Sequence, residues 1–153
     1  MDTATEIGFA DGTYRFWLPM PQILELERKC GGKSVFAMFD QIGAGLGLSE
    51  DRPVYLGGGS AMVTDIREII RLALIGGNSA IIDGEEKQVG PNAARQLVED
   101  YVYPARPLVE AQHLAWAILH AAINGIEVKK KAASPKVKSR SRSAKERSSP
   151  TAA

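Results

Sequence analysis

Four sets of residues in this chain of 153 residues have types and spacings that could do chemistry. The first is "VYLGGGSAMVTDIREII" (54–70), a short apolar run, three glycines and Ser60, then a helical pattern. That is the outline of a phosphate-binding loop. A Walker loop also needs a lysine beside its hydroxyl, so that the ammonium reaches the β- and γ-phosphates while the hydroxyl holds Mg²⁺. No lysine follows these glycines, and the next basic residue, Arg67, lies inside the helical pattern. The dinucleotide fingerprint fails at its third glycine, and Val54–Leu56 is a strand candidate without a βαβ context. Gly57–Ser60 therefore reads as a hinge.

The second set is Glu110, His113 and His120 on one helical pattern. Glu110-x-x-His113 is half of a di-iron motif, but such a site needs a second Glu-x-x-His and two further glutamates, which the sequence does not supply. His113 and His120 share a face at i and i+7, about 10 Å apart along the axis, too far to chelate one ion. Cys30 is the third, at the C-terminal end of a predicted helix. The helix dipole there disfavours a thiolate, so a small packed thiol is expected rather than a nucleophile. Acid pairs such as Glu85-Glu86 and Glu99-Asp100 fall on polar faces or loops. No Ser/His/Asp set can be assembled, and neither a cofactor nor enzymatic activity is expected.

The fourth set is electrostatic. Residues 129–153 hold nine Lys/Arg (Lys129, Lys130, Lys131, Lys136, Lys138, Arg140, Arg142, Lys145 and Arg147) against one acid, Glu146, a net +8. Residues 1–128 hold ten Lys/Arg against seventeen acids, a net −7, so the total of +1 conceals an acidic body with a basic, Ser-rich tail. With no aromatic residue and little to bury, the tail is expected to be disordered. Its cations could neutralise phosphates and bind nucleic acid without sequence preference, but the aromatic interleaving that stacks bases is absent. A solubilising role, contact with an acidic protein, or folding back on the acidic body are the alternatives.

The elements that must carry these residues fit one domain, 1–128, followed by the tail, 129–153. A hydrophobic share of 44% and a charged share of 24% are ordinary for a soluble globule. A single cysteine excludes an internal disulfide. No apolar run reaches the ~18 residues of a membrane span, and the N-terminus lacks the basic and apolar regions of a signal peptide, so a cytoplasmic location is expected.

"EIGFADGTYRFWL" predicts a β-hairpin turning at Asp11-Gly12, with Thr13–Leu18 as its second strand. Helices are predicted over "PMPQILELERKCGG", with Pro21 at its first position, Ile23, Leu24, Leu26 and the Lys29 stem as its apolar side, and Gly31-Gly32 as its stop. The next, "SVFAMFDQIGAG", has Ser34 as N-cap and fades at Gly43–Gly47. In "TDIREIIRLALIGG", Asp65 and Glu68 resemble a capping box and Gly76-Gly77 end the helix. "GPNAARQLVEDYVY" is opened by Pro91, and a fifth helix runs from Pro107 to the Asn124-Gly125 cap. Residues 48–62 are expected as loop or short extended chain, and 78–89 as a connector with a turn at Asp83-Gly84. The fold class is therefore mainly α within an α+β arrangement: an N-terminal hairpin and a bundle of about five helices. Phe16, Trp17, Phe36, Phe39 and Trp116 are core by default, and an exposed Trp17 or Trp116 would be a partner anchor.

The order of these elements, with "L..I.ELE...G" after the hairpin, a helix ending in glycines and a closing "A..IL.AA..G", resembles the small tail-gene family of gene transfer agents and related siphophages. Its members are similar to tail assembly chaperones. The resemblance spans about 6–126 and rests on apolar and glycine positions, not on catalytic signatures. It departs from the family at "LGLSEDRPVYLGGGSAMV" and "NSAIIDGEEKQV", both longer than the usual links, and at the basic tail. What it implies is a non-enzymatic assembly factor. Such a factor coats the tape-measure protein while tail tube subunits polymerise around it, with the tube protein and a second copy of itself as the further candidate partners. A permanent minor tail component and a nucleic-acid-associated adaptor are the alternatives. The candidate docking residues are Trp17, Leu114, Trp116, Ile118 and Leu119, because the apolar arc of the last helix exceeds what one neighbour needs.

Overall fold

The computed structural model describes residues 1–127, and the basic segment 129–153 lies outside the described residues. In chain order it forms β1 (Thr5–Phe9), β2 (Gly12–Phe16), α1 (Met20–Lys29), α2 (Val35–Gly43), β3 (Leu46–Ser49), β4 (Arg52–Tyr55), α3 (Val63–Gly77), β5 (Ala80–Ile82), β6 (Glu85–Lys87), α4 (Pro91–Tyr101) and α5 (Leu108–Asn124). The N-terminal hairpin and five helices are as expected. The two further hairpins are not.

Alternation along β1 and β2 sends Phe9, Tyr14 and Phe16 to the core face, where Phe9 meets Tyr14 and Phe16 edge-on at 5.8 and 5.7 Å. The turn sits one residue earlier than expected. Phe9 pairs with Gly12, so Ala10 and Asp11 form the loop, with Ala10 at φ 54° and the Tyr14 hydroxyl donating to Asp11 Oδ1 at 2.6 Å. Gly12 is required for a different reason, since a Cβ there would lie 2.3 Å from the Ile81 carbonyl oxygen.

That close approach belongs to a four-stranded antiparallel sheet of order β1-β2-β5-β6, which takes in residues expected as a connector. Asp83 and Gly84 turn β5 into β6 with φ values of 52° and 79°, the paired left-handed conformation of a tight hairpin. β3 and β4 form a separate two-stranded sheet, turned by Glu50 and Asp51 at φ 52° and 64°. Pro53 fits in β4 because its position opposite Leu48 is a non-hydrogen-bonded pair, where no ladder N–H is needed. Each of the links 46–63 and 78–89 thus contains a hairpin.

α3 lies across the sheet and supplies much of the core, with Ile69, Ile70, Ala73 and Leu74 fully buried. It ends at Gly77, as expected, but Gly76 and Gly77 are not its left-handed cap. They let β2 pass over it, since Cβ atoms at these positions would fall 2.2 Å from the Trp17 carbonyl oxygen and 1.9 Å from that of Arg15. The cap is Asn78 in the left-handed conformation, whose side-chain Oδ1 accepts from the Val89 N–H at 3.0 Å. Asp65 does not cap α3 either. It is buried, and its carboxylate accepts from the Lys33 ammonium, which also bonds Gln41 Oε1 at 3.1 Å. This ion pair fastens the turn between α1 and α2 to the first turn of α3.

Ser34 caps α2 as expected, accepting from the Ala37 N–H at 3.0 Å. α1 begins one residue before Pro21, and the Gly32 N–H closes its end onto the Glu27 carbonyl at 2.8 Å. Leu24 and Phe36, expected as apolar interior, are exposed instead.

Candidate functional site: an apolar cleft beside the edge strand

α5 is the element around which the candidate site is built. Ala111, Ala115, Ile118, Leu119 and Ala121 turn inward, against α2 and α3. Its wide apolar arc therefore reflects central burial. Ile118 and Leu119, expected to dock a partner, are only 2% and 0% exposed, and no partner can reach them while the domain is folded. Gln112, also buried, donates from Nε2 to the Ile42 carbonyl at 2.8 Å. That carbonyl lies in the last turn of α2, where the helix offers it no partner of its own.

Leu114 has a different environment. With Ala111 and Ala117 it forms the floor of an open cleft of about 350 Å³. Ile7, Gly8 and Phe9 of β1 make one wall, Pro53 of β4 another, and Tyr101 and Val102 close one end. Its rim is polar: the Arg106 guanidinium lies 3.8 Å from the Glu110 carboxylate, with His113 beside them. Few charged groups and an apolar floor suit an apolar side chain or a helix face entering from solvent. A second hollow of about 320 Å³ is lined by Tyr55, Val63, Ile66 and Leu108.

The two tryptophans are half-buried and lie outside this cleft. Trp17 donates from Nε1 to the Thr3 hydroxyl at 2.9 Å, and the Arg15 guanidinium sits 5.0 Å from its ring centroid. Trp116 stacks on Phe39 at 6.0 Å and lies between His113 and His120, at 6.2 and 4.9 Å. The two histidines thus flank an aromatic ring. Of the five expected docking residues, only Leu114 lies in the cleft.

Other chemistry-bearing residues are held in packing roles. Burial first, and then a hydrogen bond with Asp65, push the Cys30 thiol up from 9.0 to about 12, so it stays protonated near neutrality. Gly57–Ser60 does not open α3, which starts at Val63. The Gly59 N–H donates to the Tyr55 hydroxyl at 2.7 Å, tying the glycine turn to β4. Among the described residues no group of three or more His, Cys, Asp or Glu side chains could hold a metal ion, and no helix is long and apolar enough to cross a membrane.

The cleft was only half legible beforehand. The period of α5 marks Leu114 as apolar, but the walls come from residues more than fifty positions away. The comparisons with protein families, characterised proteins and solved structures returned no match.

Proposed function

We propose that this protein is a non-enzymatic tail assembly chaperone that binds the tape-measure protein during assembly of a phage or gene-transfer-agent tail. The observation that carries the proposal is the open apolar cleft floored by Ala111, Leu114 and Ala117. An amphipathic helix of the client can lay its apolar face into such a groove, which keeps that face from aggregating until tube subunits replace the chaperone. Leu114 is the central contact, Ile7 and Pro53 flank it, and Arg106 and Glu110 offer charges of both signs to the polar shoulder of the client helix. Site chemistry supports shielding better than turnover. The cleft has one histidine, no nucleophile beside it, and a carboxylate already facing a guanidinium.

The test is co-expression of the full chain with the tape-measure protein encoded beside it. The proposal expects the tape measure to stay soluble and to co-purify through a high-salt wash, and Leu114→Glu to abolish both. Retention of nucleic acid in place of the tape measure, released by salt, would move the function to Lys129–Arg147 and contradict the proposal.

A further inference from the structure

β1 ends the four-stranded sheet, and among the described residues no strand pairs with its outer side over Thr5–Phe9; Ile126 bridges Asp2, just before the strand begins. In a hairpin with a two-residue loop the closing pair is hydrogen-bonded, so Phe9, Ile7 and Thr5 turn their N–H and C=O groups toward β2. Glu6 and Gly8 turn theirs outward. Both residues are exposed, so solvent reaches this side of the strand. An open edge of this kind is a template for another strand.

We propose that a second copy of this chain occupies the edge, with the two β1 strands antiparallel about a two-fold axis passing between their Ile7 residues. In this register Glu6 of each copy pairs with Gly8 of the other, and all four outward N–H and four outward C=O groups find partners. Glu6 is the only charged residue of β1, so no like charges face each other. The neighbouring registers are worse. A shift of two residues one way sets the two Glu6 carboxylates opposite each other. A shift the other way leaves Gly8 as the only outward residue paired within the strand. The interface is therefore self-complementary, as two-fold association requires. Because Ile7 lines the cleft and faces its counterpart across the axis, the two clefts meet on one side of a continuous sheet. The inference stands on the strand edge alone and does not depend on the identity of the client.

Sedimentation of the full chain over a range of concentrations, with two variants, tests it. The wild type is expected to sediment as a dimer. Gly8→Pro, which removes an outward N–H, is expected to sediment as a single chain with an unchanged circular dichroism spectrum. In a Cys30→Ser background, Ile7→Cys places two thiols on a non-hydrogen-bonded pair, where Cα atoms lie about 4.5 Å apart, within disulfide reach. Mild oxidation should crosslink most of that variant and little of Thr13→Cys. A single-chain mass for the wild type at every concentration overturns the proposal. So does failure of Ile7→Cys to crosslink, which decides the matter even if Gly8→Pro does not fold.

Discussion

The two edges of the four-stranded sheet are built differently. β6, "EEK", is three residues long, and all three are charged and exposed. β1, "TEIGF", is five residues long with one charge, a glycine at its open side, and Ile7 and Phe9 in the wall of an apolar cleft. An edge strand left in water is normally kept short and charged, because its unpaired N–H and C=O groups invite other strands. β6 follows that rule and β1 does not. The difference fits the proposed working side: β6 can remain solvated, whereas β1 and the cleft beside it are the surfaces the two proposals cover.

The largest effect expected from a test of this comparison comes from removing the support that both edges share. Gly77→Ala places a methyl group where only the Arg15 carbonyl fits, and neither the helix nor the strand can yield cheaply. A loss of about 3 kcal/mol or more is expected in urea unfolding, with both edges failing together. The next effect is confined to the β1 side. Leu114→Glu should lower client affinity at least ten-fold at a stability cost of about 1 kcal/mol, because Leu114 is half-buried against the core.

A matched pair of prolines then separates the edges. By register Glu86 points its N–H out from β6, as Gly8 does from β1. Gly8→Pro is expected to change the sedimentation mass, and Glu86→Pro is not.

The smallest effect is alkaline. Burial first, then Asp11, raise the Tyr14 hydroxyl above its ordinary 10.0, and Cys30 is raised to about 12. Both groups are neutral when protonated and have folded values above their unfolded ones. The stability they contribute is therefore fully present below about pH 9 and falls as the pH rises toward 12. Unfolding midpoints measured between pH 8 and 10.5 should decline, and Cys30→Ser should flatten the lower part of that decline. Partial exposure of Cys30 to water keeps its share small.

Local rules recovered much of this fold. Ser34 caps where a hydroxyl before an apolar period should, and Pro91 opens α4 at the position where a missing N–H costs nothing. The misses have physical causes. Glu50 and Asp51 adopt left-handed backbone without the glycine or asparagine that usually signals such a turn, so the β3–β4 hairpin was hidden. Gly76 and Gly77 look like a helix stop, but their role is set by a strand about sixty residues earlier. Asp65 has the type and place of a capping residue, and its partner, Lys33, comes from another helix junction. Ile118 and Leu119 match Leu114 in hydrophobicity, and only packing against α2 and α3 separates the core residues from the one lining the cleft.

Hydrogen exchange measured by mass spectrometry on the full chain, with and without the tape-measure protein, tests the central claim most directly. New protection is expected in 106–117, with no change in 85–87. Protection confined to the tail, or centred on Phe36 and Trp116 with 106–117 unchanged, would contradict it.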